Sequence, residues 1–119
     1  MSIQLLVNHI SDLVRADASL NKLKLGLVKY GIPKAEDLPA IYIDGLTFTD
    51  DKQDRHTFNI CYVTTDLSLA QFDYAQSILT AIKNGGTIET RGLLPRPEPE
   101  LHRNRWMIPC VYIPATLEA

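Results

Sequence analysis

Residues 40–65, AIYIDGLTFTDDKQDRHTFNICYVTT, decide how this chain folds. Ala40–Phe48 and Thr57–Thr65 are rich in β-branched and aromatic residues, and each has the length of a strand. In the second run Phe58, Ile60 and Tyr62 share one face, and Asn59, Cys61 and Val63 share the other. Because Cys61 and Val63 are apolar too, this strand is expected to be covered on both sides. Between the runs lie Asp50, Asp51, Lys52, Gln53, Asp54 and Arg55, the polar turn that a β-hairpin requires.

Asp50, Asp51, Asp54 and His56 also form the one acid–histidine cluster of the sequence. Carboxylates at this density suit a hard cation such as Mg²⁺. The spacing is not that of a calcium loop, which needs alternating oxygen ligands, a central glycine and a terminal glutamate. Lys52 and Arg55 sit inside the cluster, where their charge opposes a cation. The favoured reading is a solvated hairpin tip with no metal or other cofactor. An assembly-linked cation site and a metal-dependent nuclease stand as alternatives.

Working outward, residues 2–16 carry Ile3, Leu6, Val7, Ile10, Leu13 and Val14 at offsets of three and four, an amphipathic helix with Ser2 placed to cap it. Leu23, Leu25 and Leu27 alternate with Lys24, Gly26 and Val28, predicting a short strand. Gly31, Pro33 and Pro39 bound a polar loop. After the hairpin, Ser68-Leu-Ala-Gln71 has the form of a capping box. Leu69, Phe72, Ala75, Ile78, Leu79 and Ile82 then give the buried stripe of a second helix, which Gly85-Gly86 stop. Strands are expected over Thr87–Leu93 and Arg105–Ile113. The prolines of Leu94–Glu100 predict an extended, unpaired link between them. Pro109 and Pro114 predict that the last strand lies at a sheet edge or carries a bulge. The result is one α+β domain over 1–119. It has a mainly antiparallel sheet of about five strands, two main helices on one face, and the order α-β-β-β-α-β-β.

Charge and composition narrow the function. A net charge of −2 does not suggest a nucleic-acid protein. No apolar run approaches the ~20 residues of a membrane span, and the start lacks the basic end of a signal peptide. Cys61 and Cys110 lie in apolar runs and read as buried thiols of a cytoplasmic product, bridged only if their strands are neighbours. His9 and His102 have no cysteine or carboxylate at a ligand spacing, so neither marks a zinc site. An enzyme is not expected. Arg91, Arg96, Arg103 and Arg105 outnumber Glu98 and Glu100, and Trp106 follows directly. That stretch reads either as a solvated loop with Trp106 turned inward or as a contact surface for an acidic partner.

An amphipathic helix ending in RADASL (15–20) precedes VKYGIP (28–33) and then EDLPAIYIDG (36–45). A hairpin, a long helix and closing strands follow. This passage resembles the tail-terminator (tail-completion) proteins of long-tailed bacteriophages and prophages, through element order and turn residues across almost the whole chain. The Pro-rich stretch over 95–99 departs from that pattern. The resemblance implies a structural virion protein without catalytic residues. Its members form a ring, typically a hexamer, on the head-proximal end of the tail tube. There they stop polymerisation and meet the tail-tube protein and the head-completion or connector proteins. In that setting the tip (Asp50, Asp51, Lys52, Asp54, Arg55) and the basic stretch (Arg91, Arg96, Arg103, Arg105) offer opposite charges for a subunit contact. A head-to-tail connector or neck subunit and a cellular ligand-binding α+β domain are the alternatives.

Overall fold

The computed structural model describes residues 3–25, 28–50 and 54–113. Ser2, Leu27, Asp51, Lys52 and Pro114, which carry expectations above, lie outside them. The elements are α1 (Ile3–Arg15), β1 (Lys29–Tyr30), β2 (Ala40–Thr49), β3 (Arg55–Thr64), α2 (Ala70–Asn84), β4 (Ile88–Thr90), β5 (Leu94–Glu98) and β6 (Arg103–Tyr112). Short 3₁₀ turns cover Ala18–Leu23, Ala35–Asp37 and Pro99–Leu101. The α+β class holds, with six strands. Their order across the sheet is β1-β2-β3-β6-β4, and β5 also pairs with β6. Only β1 runs parallel to its neighbour.

Both helices cover one face. Leu6, Ile10 and Val14 of α1 and Ala75, Ile78 and Ile82 of α2 meet Ile41, Phe58, Ile60, Tyr62, Ile108 and Tyr112 in one apolar cluster. The helices approach closely at Gly85, where a Cβ would sit 2.7 Å from Leu13 Cδ1 and push that side chain aside. Gly86 then takes the left-handed conformation that ends α2 (φ +73°). On the other face Ala40, Tyr42, Cys61 and Val63 are buried as well, against Leu38 and Met107. The central hairpin strand is therefore covered on both sides, as its composition predicts.

Four expectations need correction. Leu23 belongs to the 3₁₀ turn Ala18–Leu23, and the strand is Lys29–Tyr30. Asp17 starts that turn by accepting from the Ser19 backbone N–H at 2.9 Å, and the spacing of Leu20 and Leu23 matches three residues per turn. Second, the capping box does not form: no side chain caps α2. Asp66 instead accepts from Ser68 N–H at 2.9 Å and from Gln71 Nε2 at 3.2 Å, while Gln71 Oε1 accepts from the buried Tyr62 hydroxyl at 2.6 Å.

Third, Leu94–Glu98 is not unpaired; it is β5, antiparallel to β6. Pro95 and Pro97 stand two apart, so both missing donors fall on the same strand edge. Leu94, Arg96 and Glu98 keep their N–H groups for the other edge. Fourth, β6 is an inner strand, flanked by β3 on one side and by β4 and β5 in series on the other. It tolerates Pro109 because the Pro109 carbonyl accepts from Arg91 N–H at 2.8 Å. In a strand the nitrogen of a residue points the same way as its carbonyl, so the missing donor faces the break between β4 and β5 and spares the β3–β6 ladder.

Candidate functional site

The two charged segments singled out by the sequence lie apart: the acidic tip closes the end of the β2–β3 hairpin, and the arginines lie along β5 and β6 and just after β4. The hairpin carries Asp50 and Asp54, both exposed, beyond the last pair Thr49–Arg55. His56, one step inside, is not presented to a cation. Its ring stacks on Tyr112 (5.9 Å between centroids, 13° between planes) and tilts against Phe48 at 5.1 Å. Among the described residues, no three His, Cys, Asp or Glu side chains gather as a metal site.

The four arginines divide into two kinds. Arg91 and Arg96 are exposed, Arg91 beside Glu89 at 3.3 Å and Arg96 folded onto the Pro95 carbonyl at 3.3 Å. A surface pair of that kind contributes roughly 0–1 kcal/mol, so both guanidinium groups keep most of their charge for another molecule. Arg103 is only 8% exposed and donates from Nε to Glu98 at 3.0 Å. Arg105 lies between Asp44 (2.5 Å) and the same Glu98 (3.6 Å). The arginines nearest Trp106 are thus held in pairs within the chain. Trp106 itself packs on the apolar cluster and meets the edge of Phe72 at 5.6 Å.

Asp44 is the hub that charge counting misses. It accepts from Asn59 Nδ2 at 2.9 Å and from Arg105, with the Cys61 thiol at 3.6 Å. Asp44 on β2, Asn59 on β3, Arg105 on β6 and Glu98 on β5 form one polar chain across the helix-free face. A signal was present: Tyr42, Asp44, Asn59 and Cys61 are on one face by strand parity alone. Gly45 fixes the local bend (φ +64°), and a Cβ there would sit 2.9 Å from Asn59 Nδ2.

The cysteines have no nucleophilic surroundings. Their strands are neighbours, but Cys61 lies on the helix-free face and Cys110 on the helix face, so the two thiols are free and buried. Burial pushes both up to about 12, and the Asp44 carboxylate adds to the effect at Cys61. At neutral pH neither supplies a thiolate. The surface hollows are shallow and open, from about 230 to 470 Å³ among the described residues. Exposed apolar side chains include Tyr30 and Ile32 at and just after β1, Phe48 beside the hairpin tip, and Leu67 and Leu69 where β3 leaves the sheet.

No protein-family model matches this sequence, and no curated protein matches it. A solved structure does. The chain is similar to a chain described as "Virion of native gene transfer agent (GTA) particle", at 16% identity and a TM-score of 0.63. The likeness covers 87% of this chain and 90% of the other. At that identity it establishes a common fold over nearly the full length of both.

Proposed function

We propose that this protein is a structural subunit of a phage-like virion. In this reading it forms a ring on the head-proximal end of the tail tube, ends tube polymerisation and offers the surface to which head-completion or connector proteins join. The likeness to a chain of a gene transfer agent virion, over nearly the whole of both chains, carries the reading. The passage Val28–Asp44, with its resemblance to tail terminators, supports the finer role. Its buried thiols, and charges divided between the hairpin tip and the β4–β5 region, support an assembly role over a catalytic one. A ring needs two different patches that meet head to tail. The acidic tip (Asp50, Asp54, with Asp51, Lys52 and Arg55) is one, and the exposed guanidinium groups of Arg91 and Arg96 form the other, with Arg103 and Arg105 held by Glu98 and Asp44.

The test is tail length in cells that make the particles without this chain. A missing cap leaves the tube end open to further subunits, so overlong tails without heads are expected. Tails of normal length that merely fail to join heads would favour the neck-subunit reading.

A further inference from the structure

At the end where β3 leaves the sheet, Thr65–Ala70 are all exposed, with Leu67 at 66% and Leu69 at 84%. Two exposed leucines two residues apart gain free energy when an apolar surface covers them. This is not a loose loop. The Asp66 backbone N–H donates to Thr64 Oγ1 at 3.1 Å, and its carboxylate accepts from Ser68 and Gln71. Gln71 is itself buried and held by Tyr62. The loop is a knuckle fixed before any partner arrives, which lowers the ordering cost of binding.

A matching hollow of about 450 Å³ lies between the start of α1 and the β1–β2 edge. Ile3, Val7, Val28, Tyr30 and Leu46 line it, with Gln4 as its polar member.

Strand register adds a second match. Tyr30 pairs with Ile43, whose β3 partner Ile60 stands five residues from Arg55 at the acidic tip. On the other side Arg91 bonds Pro109, six residues along β6 from Arg103, where the knuckle end begins. Both intervals are about 17–20 Å at ~3.3 Å per residue. A neighbour slid along the strands until its tip reaches Arg91 brings its hollow to the level of the knuckle.

We propose that Leu67 and Leu69 of one copy seat in the hollow between α1 and the β1–β2 edge of the next copy. The contact rests on the ring reading and names its apolar half. Because knuckle and hollow are different patches, each copy carries one of each, and the contact propagates until the ring closes.

Two variants test it by light scattering: Leu67→Asp with Leu69→Asp, and Tyr30→Glu. All three positions are exposed, so unchanged thermal unfolding should accompany either variant. Each variant alone is expected to self-associate at least tenfold more weakly, by roughly ten- to hundredfold for each leucine denied burial. Mixed in equal amounts, they retain one intact knuckle and one intact hollow. They should give a dimer of twice the 13.4 kDa chain mass that grows no further. Rings from the knuckle variant alone overturn this contact and leave the ring reading standing, including the case where those rings fail to join tail tubes because the leucines serve another protein. A mixture that stays monomeric overturns the pairing of knuckle with hollow. Wild-type chains that stay monomeric at every concentration, alone and on tail tubes, overturn the ring itself.

Discussion

Replacing Glu98 with alanine should lower stability by about 2–4 kcal/mol, among the larger losses expected from a single polar substitution in this chain. Glu98 is the acceptor for Arg103 and also neighbours Arg105. Removing it leaves the charge of Arg103, a residue only 8% exposed, without the carboxylate that makes its burial tolerable. Arg105 still has Asp44, so the loss falls mainly on the Arg103 half of the chain of charges. For a domain of this size the thermal midpoint should fall by roughly 8–16 °C. Changing Arg103 to methionine as well removes the stranded charge, and the double variant should regain much of the loss. A Glu98→Ala protein melting within 2 °C of the wild type would show that β5 is held by its backbone ladder alone.

Charge reversal at the hairpin tip should have the opposite profile. Asp50→Lys with Asp54→Lys alters two exposed side chains beyond the last hairpin pair, so folding should be unchanged within about 0.5 kcal/mol. Assembly should be lost, because the tip would now repel Arg91 and Arg96 of the neighbouring copy. Reversing those arginines to glutamate in the same chain should restore it. Wild-type assembly should also weaken with salt, as the screening length drops from about 10 Å at 0.1 M to 3 Å at 1 M. Light scattering reads all three. Normal assembly of the Asp50→Lys, Asp54→Lys chain would remove the tip from the interface.

The sequence made some of this legible and hid the rest for identifiable reasons. The α2 stripe, the hairpin and the burial of both β3 faces follow from periodicity, which reports which residues face a core. Three of the errors came from rules about backbone donors. Pro95 and Pro97 read as a break in pairing, yet a spacing of two confines the missing donors to one edge of β5. Pro109 reads as an edge or bulge marker, yet its blocked side faces a gap between two short strands. Ser68 and Gln71 have capping-box spacing, but the Asp66 carboxylate reaches the same groups first and Tyr62 draws Gln71 inward. Among the site residues, exposed Asp50, Asp54, Arg91 and Arg96 were recognisable as charged segments. The partners of Arg103 and Arg105 were not. Asp44 lies 61 residues from Arg105 in sequence, and only the sheet order brings them together.

Electron microscopy of gold-labelled particles tests the central claim most directly, using particles from cells that make this chain with an affinity tag. Label is expected at the junction of head and tail, on the tube end nearest the head. Label confined to the capsid surface or the distal tail tip, or particles that carry none of the chain, would contradict it.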